Sequence, residues 1–296
     1  MQNDRPKIAW FLKVLMLCSI SMMALFFVGM VLFMIFRNDI NSVKFLTYST
    51  VAQNLLIFIL PVVLLAIICK KLEGRPMLQT MWMTKGPSFK SILMVVTVWI
   101  VALPAMNYIV EWNKGIEFPT WMKFLEDLFR QMEDSATLAT SSMLDTHSLG
   151  MMLAMVFVVG ILAGFGEEMF FRAGLLGSMR FGGLNKHVAV WVAAFIFSAI
   201  HMQFYGFVPR LLLGAWFGYL MLWSGEMWTP FIAHALNNGA IVVVTYLANI
   251  NIISSNFIDT IGTDNRWIAT CSAMATALVI ALFMRKRKDN NKIQEA

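Results

Sequence analysis

Long apolar runs recur along this chain of 296 residues, and each is about as long as a bilayer is thick. A helix needs roughly 20 consecutive apolar residues to cross the hydrocarbon core. Only 14% of the residues are charged, whereas about a quarter are charged in a soluble domain. We therefore predict an all-α fold, a polytopic transmembrane helix bundle of about eight spans, at about 9–36, 50–69, 91–112, 148–178, 187–204, 208–224, 229–250 and 266–284.

Clusters of basic residues separate the apolar runs and predict the orientation of the chain. If there are eight spans, all four clusters fall on one side, which the positive-inside rule makes the cytoplasm. Both termini are then inside. The net charge of +6 reflects this topology, so we expect no nucleic-acid partner. The clusters are Arg5, Lys7 and Lys13; Lys70, Lys71, Arg75, Lys85 and Lys90; Arg172, Arg180 and Lys186; and Arg285, Lys286, Arg287 and Lys288.

Three regions follow from the order of the spans. Region 1–147 holds the first three spans and an outer loop, 148–250 holds spans four to seven, and 251–296 holds an outer loop, the last span and a basic cytoplasmic tail. The loop at 113–147 predicts an amphipathic helix, which either lies on the membrane surface or packs as a lid on neighbouring spans. Its apolar residues at helical spacing are Phe118, Trp121, Met122, Leu125, Leu128, Phe129 and Met132.

Ionisable side chains within a span are costly and usually mark function. Glu167 and Glu168 are adjacent, so they point about 100° apart on a helix. Glu168 and Arg172 are four residues apart, which allows an ion pair along the helix. Glu167 is then free to act as a general base in an apolar site. The alternative interpretation is that all three residues lie at the water boundary and have no chemical role.

Two further motifs place polar groups in later spans. His201 follows Phe197 late in the fifth predicted span, where it is either a site residue or a packing residue bonded to a carbonyl. His234 and Asn238 are four residues apart and project from one face of the seventh span, whereas Asn237 points elsewhere. They either line a cavity or bond neighbouring helices. At 1.5 Å per residue, Glu167, His201 and Asn238 lie ~16, ~21 and ~14 Å deep, which predicts one cavity opening to the cytoplasm.

The chemistry that fits these groups is attack by an activated water on a carbonyl. Glu167, helped by His201, would take the proton of the water. His234 and Asn238 would donate hydrogen bonds to the developing oxyanion.

The patterns E-E-x-x-x-R, F-x-x-x-H and H-x-x-x-N, in this order on apolar helices, resemble the CPBP family, also called the CAAX protease and bacteriocin-processing or Abi family. The resemblance covers roughly 148–250. It implies a helical bundle with a conical cytoplasm-facing cavity, and an endopeptidase similar to those that process CAAX-box proteins. Glu167 is then the catalytic glutamate, His201 the first histidine, and His234 with Asn238 the oxyanion pair, with Glu168 and Arg172 in support.

The same resemblance implies no cofactor and two kinds of partner: membrane lipid, and a membrane-associated or lipidated peptide or protein as the substrate. We expect a multi-pass protein of the bacterial cytoplasmic (inner) membrane.

Two alternatives remain. Glu167, His201 and His234 could form the His₂Glu site of a zinc-dependent membrane protease, although H-E-x-x-H is absent. A non-enzymatic membrane scaffold or bacteriocin self-immunity factor would keep the motifs for packing. Cys18, Cys69 and Cys271 predict neither a disulfide framework nor a metal site. A transporter is disfavoured because the polar residues lie in one half of the chain and no repeat is present.

Overall fold

A computed structural model of the protein describes residues 7–40, 42–254, 260–263 and 265–294, and within these ranges it is helical without any strand. Arg5 lies outside the described residues, as do the side chains of 285–288. The main helices are α1 (Trp10–Phe36), α2 (Val43–Glu73), α3 (Phe89–Lys114), α4 (Lys123–Leu144), α5 (Leu149–Phe181), α6 (Lys186–Ala199), α7 (Phe207–Ser224), α8 (Trp228–Asn249) and α9 (Arg266–Gln294). These bounds confirm the predicted all-α bundle.

Seven of the described helices are apolar and long enough to cross a membrane. The predicted fifth span is the exception, because α6 has only 14 residues and is about 21 Å long. The apolar sequence continues past Ala199, but Met202 takes a left-handed backbone conformation with φ of 55° and the chain turns there. Hence the fifth helix is too short to span the ~30 Å core by itself.

Local capping sets several helix ends. The side chains of Ser88, Ser148 and Asn185 accept hydrogen bonds from backbone N–H groups in the first turns of α3, α5 and α6. Gly74 and Gly225 follow α2 and α7 with φ of 72° and 75°, the left-handed conformation that ends many helices. The serines and the asparagine therefore help to set where these helices begin, and the glycines help to set where they end.

Aromatic packing joins α2, α5 and α6 in the largest part of the core. Phe171 on α5 is fully buried, and its ring centroid lies 5.9 Å from Phe58 on α2 and 5.2 Å from Phe197 on α6. Phe170 adds a third ring at 5.1 Å. This cluster holds the helix that carries Glu167 and Glu168 against its neighbours.

Glycines let α5 approach α8 closely. A Cβ placed on Gly164 would lie 3.2 Å from the backbone nitrogen of Ala235, and one on Gly160 would lie 3.2 Å from Cα of Gly239. The pattern Gly160-x-x-x-Gly164 is a known sequence feature of tightly packed membrane helices. Close contact here sets the distance between the glutamates on α5 and His234 on α8.

Helix α5 is irregular on both sides of the glutamates. Segments of π-helix at Val156–Leu162 and Met169–Leu176 flank the α-helical stretch Ala163–Glu168. Such π turns in long helices are rare and are often found at functional sites. They change which side chains of α5 face α8, so the orientation of Glu167 does not follow from a regular 100° step.

The amphipathic helix predicted in the outer loop is α4, and it docks on the segment after His201. Phe129 stacks on Phe204 with ring centroids 5.1 Å apart, and the Arg130 guanidinium lies 4.4 Å from the centre of the Tyr205 ring. On other faces Trp121, just before α4, and Phe124 are 77% and 68% exposed. The helix therefore has the contacts of a lid and also presents apolar side chains suited to a membrane surface.

Candidate active site

The carboxylate of Glu168 lies between a guanidinium group and an imidazole ring inside the bundle. Its Oε2 is 3.0 Å from Nε of Arg172, which confirms the ion pair expected along the helix. Its Oε1 is 2.8 Å from Nδ1 of His234 on α8. Glu168 and Arg172 are almost inaccessible, at 0% and 1% exposed. Burying two charges away from water is costly, and the ion pair at 3.0 Å offsets part of that cost.

Glu167 approaches the other nitrogen of the same imidazole. Its Oε2 lies 3.8 Å from Nε2 of His234, too far for a direct hydrogen bond but within the range of an ion pair. The two adjacent carboxylates thus reach opposite sides of one ring, although we expected them to serve separate environments. His234 links them, and Glu168 fixes the ring through Nδ1–H.

The hydrogen bond to Glu168 determines whether Nε2 of His234 can accept or donate a hydrogen bond in each protonation state. With Nδ1–H donating to Glu168, a neutral ring presents the Nε2 lone pair toward Glu167. Only a doubly protonated ring also has an Nε2–H donor. The predicted oxyanion role of His234 therefore requires the imidazolium.

Aromatic rings enclose the imidazole and the guanidinium. Phe217 on α7 stacks on His234 with centroids 5.0 Å apart, and Phe197 on α6 meets the same ring edge-on at 5.9 Å. The Arg172 guanidinium lies 4.7 Å from the centre of the Phe197 ring, within the range of a cation–π contact. Arg172 also donates from Nη2 to the Gly214 carbonyl oxygen at 3.1 Å. These contacts exclude water and strengthen the polar interactions inside.

His201 lies just beyond the end of α6. Its Nδ1 is 2.7 Å from the Phe197 carbonyl oxygen, so Nδ1–H donates there and Nε2 is left as an acceptor. A hydrogen bond to a backbone carbonyl is what we expected of a histidine that serves only packing. The same bond also fixes the orientation of the ring. The ring centroid lies 5.1 Å from that of Phe197, and His201 interacts electrostatically with His234. Phe197 therefore contacts both histidines edge-on.

Asn238 lies one helical turn after His234 on α8. Its Nδ2 donates to the Val159 carbonyl oxygen on α5 at 3.2 Å, and its Oδ1 accepts from Nδ2 of Asn237 at 3.3 Å. An amide group has two N–H donors, so one bond to Val159 still leaves a second donor for a ligand. The structure thus combines the two interpretations of this residue, helix bonding and a potential oxyanion donor.

An apolar cavity of about 200 Å³ lies behind His234, between α3, α7, α8 and α9. Phe217 and Asn237 line it, with Val98, Trp99, Leu213 and Trp216. Because Phe217 also stacks on His234, the cavity and the glutamate–histidine site share a wall. The sequence did not predict this cavity, although Asn237 belongs to the third motif.

A second arginine, Arg210, was not singled out from the sequence. It interacts electrostatically with Glu167 and His201 from the first turn of α7. A cation near the start of an apolar run is usually at the membrane boundary, so the position of Arg210 in the sequence does not indicate a site residue. Asn113 was also missed, although it is fully buried and fixes the backbone at both Phe204 and Val208.

In the part of the chain that the structure describes, no group of three or more His, Cys, Asp or Glu side chains is arranged to hold a metal ion. All three cysteines are free, and only Cys69 is buried.

The fold and the site together define a multi-pass helical membrane protein in which Glu167 and Glu168 lie on either side of His234 inside the bundle. Residues 149–240 match the model of a family described as "Type II CAAX prenyl endopeptidase Rce1-like". This segment contains all three motifs, so the match confirms the resemblance inferred from them. At the level of the family it supports a CAAX-type intramembrane protease.

One curated protein with detectable similarity is the uncharacterized protein YpbD of Bacillus subtilis (strain 168). It is 28% identical over 83 residues, which make up 27% of this chain and 39% of YpbD. The chain thus spans well under half of the length of this relative. No solved structure matches the chain significantly.

Proposed function

We propose that the protein is an intramembrane endopeptidase that hydrolyses a peptide bond of a membrane-associated or lipidated protein or peptide. The observation that carries this proposal is the position of His234 between two carboxylates, with Nδ1 2.8 Å from Glu168 and Nε2 3.8 Å from Glu167. A carboxylate and an imidazole that face each other without a direct bond leave room for a third group that both can contact.

Glu167 is the general base in this proposal. Its carboxylate takes a proton from a water molecule, and the water oxygen forms a bond to the carbonyl carbon of the substrate. His201, whose Nε2 is an acceptor, helps to orient that water. The carbonyl π electrons move to oxygen and give a tetrahedral oxyanion.

Protonated His234 and Asn238 stabilise the oxyanion by hydrogen bonds, in a site where bulk water does not compete. The C–N bond then breaks, and the proton held by Glu167 goes to the leaving amine. The products are a carboxylic acid and an amine, and the site returns to its initial protonation state. Arg172 and Glu168 act indirectly, because Arg172 fixes Glu168 and Glu168 fixes the imidazole.

The apolar cavity beside Phe217 supports a substrate that carries an apolar group. Its volume of about 200 Å³ and its lining suit a hydrocarbon segment from a lipidated peptide or from a bilayer lipid. The family description names a prenyl endopeptidase, so a prenylated peptide is the first substrate to test.

The test uses purified full-length protein in lipid vesicles and a peptide that ends in a prenylated cysteine followed by three residues. We expect mass spectrometry to detect cleavage by the unaltered protein and a loss of about 100-fold or more in Glu167→Gln. The same peptide without the prenyl group tests the need for an apolar group. Equal cleavage by the unaltered protein and Glu167→Gln would contradict the proposal.

A chelator experiment separates the zinc alternative from this mechanism. A zinc enzyme that uses Glu167, His201 and His234 loses activity after dialysis against a strong chelator and regains it with added zinc. We expect activity to survive the chelator, because no described group of side chains has metal-binding geometry.

The scaffold or self-immunity alternative makes a different prediction in cells. If the protein is a scaffold or a self-immunity factor, cells with a normal amount of Glu167→Ala should keep the phenotype of cells with the unaltered protein.

We also propose a bacterial inner-membrane location with both termini inside, from the basic clusters. An impermeant thiol reagent applied to intact cells should then label a cysteine placed at exposed Asp134 but not one at exposed Lys85.

A further inference from the structure

Arg210 is a cation near the glutamate–histidine site that the proposed reaction does not use. It lies in the first turn of α7, within the apolar segment Phe204–Ser224. A charge inside the hydrocarbon core costs about 2.5–3.5 kcal/mol even on a scale from membrane insertion. Among the described residues no carboxylate forms an ion pair with it, in contrast to Arg172. Its charge therefore calls for an explanation other than a structural ion pair.

A relay of hydrogen bonds holds the guanidinium from one side. Nη2 of Arg210 donates to Oε1 of Gln203 at 2.9 Å, and Nε2 of Gln203 donates to Oε1 of Glu133 on α4 at 3.1 Å. Gly206 provides the space, since a Cβ there would lie 3.0 Å from Nη2. The direct partner of the guanidinium is thus the neutral side chain of Gln203, and the carboxylate of Glu133 is one side chain further away.

The backbone around Arg210 is also fixed. Asn113 on α3 donates from Nδ2 to the Phe204 carbonyl oxygen at 3.2 Å, and its Oδ1 accepts from the Val208 N–H at 2.8 Å. These bonds tie the turn between α6 and α7 to α3 on both sides of Gly206. The guanidinium therefore projects from a rigid base, as a binding group requires.

A further donor of the guanidinium, Nη1, is buried and has no hydrogen-bond partner. Arg210 interacts electrostatically with Glu133 on α4 and with two residues of the proposed site, Glu167 and His201. A buried donor of a charged group that lacks a partner is costly and uncommon in proteins. Nη1 and the second hydrogen of Nη2 form the planar pair of donors that matches a carboxylate.

We propose that Arg210 binds a carboxylate group of the substrate peptide, on the α4 side of the bond that is cleaved. The inference rests on the proposed function and names a binding residue for it. The carboxylate belongs either to the peptide C-terminus or to an acidic side chain, and both would accept two hydrogen bonds from the same pair of donors.

The experiment measures binding, so it does not depend on cleavage. Isothermal titration of full-length protein in detergent compares an N-acetylated tripeptide of apolar residues in its free-acid and amide forms. We expect the acid to bind about tenfold or more tightly than the amide, because a charge-assisted pair of hydrogen bonds is lost in the amide. An amidated peptide with one aspartate side chain tests the second source of the carboxylate.

Arg210→Gln should abolish the preference for the acid, whereas Arg266→Gln should keep it. Arg266 is a matched control because it is also an arginine in the first turn of an apolar helix, but it is exposed and lies over the Trp267 ring at 5.4 Å. Equal affinity of the unaltered protein for all peptides, or no binding of any, overturns the inference even if the variant does not fold. A preference that survives in Arg210→Gln also overturns it, while cleavage dependent on Glu167 would still stand.

Discussion

His234 and Arg172 lie on different helices and are joined through one carboxylate, that of Glu168. The oxygen Oε1 is 2.8 Å from Nδ1 of His234, and Oε2 is 3.0 Å from Nε of Arg172. The chain separates Glu168 from His234 by 66 residues. Glu168 therefore converts an ion pair within α5 into a link between α5 and α8.

Replacing Glu168 tests this link. Glu168→Gln leaves the Arg172 guanidinium buried without a countercharge, so we expect the free energy of unfolding to fall by about 3–5 kcal/mol. The measurement is a denaturant titration in detergent micelles. Glu111→Gln is the control, because Glu111 and its partner Lys114 are 50% and 55% exposed and such surface pairs contribute about 0–1 kcal/mol. Similar small losses in both variants would show that Glu168 is not a structural link.

The close packing of α5 on α8 predicts a strict size limit at Gly164. In Gly164→Val the new Cβ would lie 3.2 Å from the Ala235 nitrogen, so the helices must separate, at a cost of about 1–3 kcal/mol. Thermal unfolding in detergent measures this change. Gly29→Val is the matched control, since no atom lies within 4 Å of a Cβ there. If the two variants unfold at the same temperature, the close contact between α5 and α8 is not needed.

The docking of α4 should weaken in acid. The hydrogen bonds from Arg130 lower the pKa of Glu126 from the usual value of 4.5, and the Phe118 N–H also bonds to this carboxylate. A lowered folded-state pKa means that the stabilisation is complete above about pH 4.5 and is lost as the pH falls through the lower, folded value. We expect the α4 amides to be less protected from hydrogen exchange at pH about 3 than at pH 7, where protection is each measured rate compared with the intrinsic rate at the same pH.

Glu126→Gln is the control for this pH dependence. The variant lacks the titrating carboxyl. The protection of its α4 amides from exchange should therefore be lower at pH 7 than in the unaltered protein, and it should differ less between the two pH values. An acid-induced change of the same size in the variant and the unaltered protein would assign the effect to other groups.

The apolar runs and the pair Glu168–Arg172 could be predicted because both depend on neighbours along the chain. Span length follows from hydropathy, and a spacing of four residues brings two side chains together on any helix. The short fifth helix could not be predicted in this way, since apolar residues continue after Ala199 and alternate there with His201 and Gln203. A turn at Met202 depends on contacts made by the folded chain, including those of Asn113.

The pairing of His234 with Glu168 also depends on tertiary packing. The sequence placed both residues on apolar helices, but it could not indicate which nitrogen of the imidazole meets which carboxylate. One available signal was overlooked: Gly160-x-x-x-Gly164 predicts a close helix contact just before the glutamates. Arg210 was missed because a cation near the start of an apolar run is usually at the membrane boundary.

The most direct test of the central claim compares membrane peptides from cells that produce the unaltered protein, Glu167→Gln or Glu111→Gln at equal levels. Mass spectrometry would identify new peptide C-termini in each sample. We predict C-termini that are present with the unaltered protein and Glu111→Gln but absent with Glu167→Gln. Identical sets of peptides from all three would contradict hydrolysis by the Glu167 site.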